Sequence, residues 1–239
     1  MNDIFEWWHN TWLVFCASFS QNFLEARRWV LLRDGFVTTI EITLGAVLVG
    51  LLIGFVVAVI RTTHDKTGRL AFLDFLAKVF LTVIRGTPTM VQLLIIYFVI
   101  FASINVDKLL VAIIAFGINS GAYTAEIIRA GLMAVDKGQF EAGASLGLNY
   151  YQTMTRIIVP QAFKTILPAL GNELIVLLKE TSISGYIAMH DLTKGGDIIR
   201  SQTYDAFMPL LAVAAIYLIC VCALSYGVTV MERRLKRNE

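Results

Sequence analysis

Four stretches of this chain, residues 42–60, 86–106, 109–125 and 206–231, contain no charged side chain. An α-helix needs about 20 mainly apolar residues to cross the hydrocarbon core of a bilayer. Apolar runs of that order, repeated along one chain, point to helices in lipid, where the helix satisfies its own backbone hydrogen bonds. The composition agrees. Apolar residues make up 57% of the 239 and charged residues 16%, against about 25% charged in a soluble domain. A soluble fold of this size has too little interior for so much apolar surface, and a disordered chain is poorer in apolar residues. The net charge of +2, with no dense basic patch, argues against nucleic acid as a partner. The expected fold is all-α, a polytopic bundle of membrane helices.

A fifth span is expected at residues 165–183, although Glu173, Lys179 and Glu180 interrupt it. Residues 11–24 are shorter and carry Ser18, Ser20, Gln21 and Asn22. They read as an interfacial helix, with Trp7, Trp8 and Trp12 at the headgroups. Five crossings put the termini on opposite sides. Arg233, Arg234, Lys236 and Arg237 in the tail argue for a cytoplasmic C-terminus, hence an extracytoplasmic N-terminus. Segments 61–69, 135–164 and 232–239 then place ten Lys and Arg inside, against six outside. Arg27, Arg28 and Arg33 run against that bias. The organisation expected is an N-terminal interfacial segment at 1–34, a transmembrane domain at 35–235 and a cytoplasmic tail at 236–239. The first ten residues carry no basic side chain and do not read as a signal peptide. Cys16, Cys220 and Cys222 sit in apolar surroundings and read as small buried hydrophobes. His9, His64 and His190 match no metal-ligand spacing.

A charge at mid-bilayer costs at least about 2.5–3.5 kcal/mol, so it should face protein or water. On a helical wheel, Thr165, Asn172, Glu173, Lys179 and Glu180 form one polar stripe about 120° wide. Leu174, Ile175, Leu177 and Leu178 lie on the other side. The stripe reads either as helix–helix hydrogen bonding or as a substrate path, and its length favours the path. Asn119, Tyr123 and Glu126 share a face of the third span, where Glu126 and Arg129 read as a structural ion pair. Ser120 and Gly121 either loosen that helix or admit a neighbour. Residues 70–84 look like an elbow helix entering the bilayer, with Asp74 and Lys78 spaced to pair. Arg85-Gly86-Thr87-Pro88 follows. An Arg beside a helix break is a candidate anion site or the partner of a carboxylate within the bundle. Gly50 and Gly54 match the small-residue packing pattern.

Residues 135–164 form the longest stretch expected in the cytoplasm. They read as two short helices, Gln139–Leu146 ended by Gly147, then Tyr150–Ile158 capped by Asn149 and followed by Pro160. Glu141-Ala142-Gly143, then Gly147, then Ile157-Ile158-Val159-Pro160 resembles the EAA loop of ABC importer permeases. Gly143 stands where the family usually has alanine, and Val159 where it has leucine. RGTPTMVQLLIIYF at 85–98, NSGAYTAEIIRAG at 119–131 and GNELIVLLKETS at 171–182 are similar to the polar amino-acid branch of these permeases. The resemblance covers roughly residues 35–235.

The resemblance implies a type I importer permease, half of a transmembrane dimer formed with itself or a paralogue, in a bacterial inner membrane. Two ABC ATPase subunits would dock on the EAA loops, through Glu141, Ala142, Gly143, Gly147 and Pro160. An extracytoplasmic binding protein would deliver a polar or charged amino acid. The chain holds no Walker A loop, so ATP and Mg would be bound by the ATPases and no cofactor by this chain. It is expected to be a transport subunit, not an enzyme. A zwitterion needs an acceptor for its ammonium and donors for its carboxylate. Glu173, Asn172, Arg85, Thr87, Asn119 and Ser120 are the candidate contacts. An ion-driven transporter or channel is the alternative, but such proteins often carry inverted repeats and none is visible here.

Overall fold

The computed structural model describes residues 12–236, all-helical with no strand among them. Trp7, Trp8 and the tail beyond Lys236 lie outside the described residues. A first helical stretch, α1, covers residues 12–24. The chain then breaks at Ala26 and Arg27, both left-handed with φ of 50° and 53°. Helix α2, Trp29–Thr67, begins there and runs without interruption through the boundary set from sequence at 34/35. Helix α3 (Ala71–Gly86) and α4 (Thr89–Ile95, continuing to Ile100) follow, bent by 110° where Thr87 and Pro88 stop the first helix. Helix α5 spans Lys108–Met133 and opens on the Asp107 side-chain cap. The loop helices α6 (Gly138–Ser145) and α7 (Tyr150–Thr153) precede α8 (Val159–Glu180). A tight turn of helix, Thr181–Ile187, leads to α9 (Leu192–Thr203) and α10 (Phe207–Lys236).

Small residues assemble the core. The buried positions of α2 include Gly35, Thr39, Ile42, Ala46, Gly50, Gly54 and Ala58, a stripe at spacings of three and four. It lies against α5. A Cβ added at Gly50 would meet Ser120, and one at Gly54 would meet Thr124. Gly117 faces Val49 and Gly121 faces Ile53 in the same way. The small-residue pattern at Gly50 and Gly54 therefore admits a neighbour, and so does Gly121. The contacts advance together along both helices, so α2 and α5 run parallel. The chain must return between them, and α3 with α4 performs that return. Helix α8 runs back along α5, with Ile166 against Gly131 near one end and Glu173 against Ser120 further on. Helix α10 then runs antiparallel to α8, meeting Gly171 at Val228.

Three of the five expected spans, 42–60, 109–125 and 206–231, fall on long helices, while 86–106 is broken at Thr87 and Pro88 and beyond them is helical only from Thr89 to Ile100. Helices α2, α5 and α10 are long and apolar enough to cross a membrane, and the bent pair α3–α4 qualifies if counted as one span. Helix α8 does not reach that standard, because of its charged and amide side chains. The cysteines do not fill the core: Cys16 and Cys222 are exposed, Cys220 is half-buried, and all three are free. They lie on helices whose outer faces are apolar, so hydrophobic surroundings in sequence did not mean protein interior.

Candidate translocation site and coupling loop

Helix α8 turns its apolar face inward and much of its polar stripe outward. Ile175, Leu177 and Leu178 are buried, while Thr165, Asn172 and Lys179 are exposed. Hydrogen bonding within this chain's own bundle therefore does not account for the stripe. Glu173 and Glu180, on its flank, are half-buried, and Glu173 turns toward α5. Its Oε1 accepts a 2.9 Å hydrogen bond from Ser120 Oγ on α5. Both residues line a cavity of about 430 Å³ with Thr124, Gly171, Val228 and Met231, bounded by α2, α5, α8 and α10.

The remaining candidates fall into two other groups. Thr87 and Asn119 are joined by a residue that the motif reading did not single out, Gln92. Its Nε2 donates to Ile84 O at 2.6 Å, Thr87 O at 3.0 Å and Thr87 Oγ1 at 2.8 Å. Its Oε1 accepts from Asn119 Nδ2 at 2.9 Å. The freed carbonyls at the α3–α4 bend thus find a donor, as buried backbone groups must. The signal available in sequence was an amide in an otherwise apolar run, which must find partners. Arg85 is not Glu173's partner. Its Nη1 lies 3.9 Å from Glu126 Oε2 and its guanidinium sits 5.6 Å over the Tyr123 ring. Glu126 is held more closely by Arg129, the pair expected from their spacing. Asp74 likewise has its expected partner, Lys78 at 2.7 Å, and also Arg61 at 3.5 Å and His64 at 3.7 Å. Asn119 and Ser120, adjacent in sequence and about 100° apart around α5, serve different neighbours, Gln92 and Glu173, so the proposed contacts do not form one cluster within this chain.

The loop between α5 and α8 is built tightly. Gly147 has φ of +73°, and the backbone N–H of Leu148 returns to Gly143 O at 3.0 Å, closing the α6 end. Asn149 and Gln152 cap each other's backbone, a complete capping box. Gly143 is buried against Thr153, whose Cγ2 would lie 2.6 Å from an added Cβ. The departure from alanine at 143 thus has a local reason. Val159, the other departure, is exposed. Glu141, Ala142 and Gly147 are exposed, beside Leu146 at 76% and Tyr151 at 74%. Pro160 does not follow a helix end as expected. It sits in the first turn of α8, and helical backbone continues from Tyr150 to Glu180. The wider turn at Met154–Ile158 absorbs the proline's missing donor. Lys66, at the end of α2, lies 4.6 Å over the Phe140 ring and ties the loop to that end of the bundle.

Known proteins share this chain's sequence and architecture. The family of binding-protein-dependent transport system inner membrane components matches residues 48–237. The glutamine transport system permease GlnP of Escherichia coli is 38% identical over 209 residues, covering 86% of this chain and 93% of its own. The arginine transport system permease ArtQ of Bacillus subtilis is 36% identical over 208 residues, with 86% and 93% covered. A crystal structure of an amino acid ABC transporter superposes with a TM-score of 0.79 at 41% identity, covering 89% of this chain and 98% of that one. The chain belongs to the binding-protein-dependent transport system inner membrane components, among the ABC permeases of polar amino acids.

Proposed function

We propose that this chain is the membrane permease subunit of an ABC importer for a polar or charged amino acid, working by alternating access. The observation that carries the reading is the outward polar stripe of α8 beside the Glu173 cavity. Exposed Asn172 and Lys179 in a membrane helix need water or another subunit, not lipid. A second permease, identical or paralogous, would cover the stripe and enclose the path between the two chains. The amino acid, delivered by an extracytoplasmic binding protein, would meet the Glu173 carboxylate through its ammonium group. Asn172 of the stripe would bind its carboxylate, with Thr87, Asn119 and Ser120 supporting the path from the α3–α4 bend and α5.

The bent pair α3–α4 and α8 complete five crossings in this reading. The loop end of the bundle is then cytoplasmic with the C-terminus, α9 and the N-terminus are extracytoplasmic, and the whole lies in a bacterial inner membrane. Two ATPase subunits would bind ATP and Mg and push on the loops, so this chain needs no cofactor. Replacing Glu173 by Gln tests the site in vesicles holding the complete transporter. Uptake should weaken, most for cationic amino acids, at normal protein level. Unchanged affinity and selectivity in Glu173→Gln would remove Glu173 from the path.

A further inference from the structure

Between α2 and α3 lies a second cavity, about 370 Å³, lined by Arg61, Lys78, Thr82 and Arg85 with Leu81 and Gly86. Three cations face it, and two carboxylates touch them. Asp74 is shared among Arg61, Lys78 and His64, while Glu126, 3.9 Å from Arg85, is held mainly by Arg129. Arg61 Nε, itself buried, faces Asp74 Oδ1 at 3.5 Å. The three cations facing the cavity thus outnumber the two carboxylates that touch them.

Its depth is fixed by the chain. Arg61 directly follows the charge-free stretch 42–60, and Glu126 directly follows 109–125. Both mark the level where hydrocarbon gives way to headgroups, on the face that carries the coupling loop. Helix α3 crosses that level with three faces. Asp74, Ala77 and Leu81 pack inward. Lys78, Thr82 and Arg85, at spacings of four and three, line the cavity. Next to them Phe72, Phe75, Val79 and Val83 stand exposed, 44% to 71%, toward lipid. A cationic edge beside an apolar face at headgroup depth matches a two-part ligand, an anionic phosphate with acyl chains attached.

We propose that this cavity binds the phosphate of an anionic phospholipid, with the acyl chains laid along the outer face of α3. The test is native mass spectrometry of the full chain in its transport complex, with phosphatidylglycerol and phosphatidylcholine added in equal amounts. The complex should retain phosphatidylglycerol preferentially. Lys78→Gln, at a helix position with its side chain 52% exposed, should cut that preference roughly fivefold, and Lys78→Arg should keep it. Equal retention of the two lipids by the unaltered complex, or an undiminished preference in both Lys78→Gln and Arg61→Gln, would overturn the proposal. Displacement of phosphatidylglycerol by millimolar inorganic phosphate would assign the cavity to a free anion and overturn the lipid reading.

Discussion

At position 143 the structure has no room for a methyl group, because Thr153 Cγ2 would lie 2.6 Å from it. Gly143→Ala should therefore destabilise the loop by about 1–3 kcal/mol. Adding Thr153→Ala should recover most of the loss, and thermal unfolding of the single and double variants measures the coupling. A second local cluster sits on α9, where Lys194 and Arg200 bond the Asp197 carboxylate at 2.9 Å and 3.0 Å. Those two cations hold Asp197 below the ordinary carboxylate range. A depressed folded value stabilises above the unfolded pKa, near ~4, and the contribution fades as pH falls through the folded value. Asp197→Asn should therefore speed hydrogen exchange across α9 at pH 7. The difference should shrink when the variants are equilibrated at strongly acidic pH. Equal exchange at pH 7 would mean that the cluster does not hold the helix.

Helices α2 and α5 stand or fall together. Gly54 lies so close to Thr124 and the Ala125 backbone that no side chain fits without parting the helices. Gly54→Leu should lower the yield of folded protein sharply, since overpacking costs about 1–3 kcal/mol or more. Gly227 on α10 is the control. Nothing lies within 4 Å of its Cβ position, so Gly227→Ala should be neutral or mildly stabilising. Fluorescence-detected size-exclusion profiles of the two variants compare them directly. This element pairing was partly legible: the spacing of Gly50 and Gly54 announced a close neighbour, and the i, i+3 and i, i+4 ion pairs of Glu126 and Asp74 followed from helical geometry. What sequence could not supply was the partner's identity and direction. Local periodicity places residues on faces, but the parallel course of α2 and α5 is set by contacts far apart in the chain. Gln92 escaped for the same reason. Its role depends on the 110° bend, which Pro88 signals in position but not in angle. For Arg85 the sequence offers an anion site or some carboxylate of the bundle, and the bend is what brings it to Glu126.

Taken whole, the proposed function draws on two regions of the molecule, the Glu173 cavity within the bundle and the exposed Glu141 surface at its end. The comparisons place it among transport permeases, and the coupling role of the loop is open to a direct test. Glu141→Lys should leave the chain folded and inserted, because Glu141 is exposed, yet uptake driven by the ATPases should be lost. Gly147→Asp should do the same while adding strain at a φ of +73°. Vesicle uptake with co-purification of the ATPases reads both, and normal uptake by both variants would remove the loop from energy coupling.

The helical backbone that leaves the loop at Tyr150 runs on to Glu180 and carries Glu173 along the way. Nearest the loop it is fastened to α5 where Ala162 and Ile166 close over Gly131, and again further on where Glu173 accepts from Ser120. In the proposed function the second contact would give way and the first would serve as the fulcrum. Tyr150 lies about 20 Å to one side of it and Glu173 about 14 Å to the other, at 1.5 Å per residue. A rod rocking there carries the carboxylate opposite to the loop, through about two-thirds of the distance. Pro168 lies between fulcrum and carboxylate, without the N–H that would stiffen its turn. In the proposed function the helix is thus a see-saw with one compliant arm, in which a push at the membrane surface would reach the Glu173 carboxylate reversed in sense, reduced in amplitude and softened at a single residue.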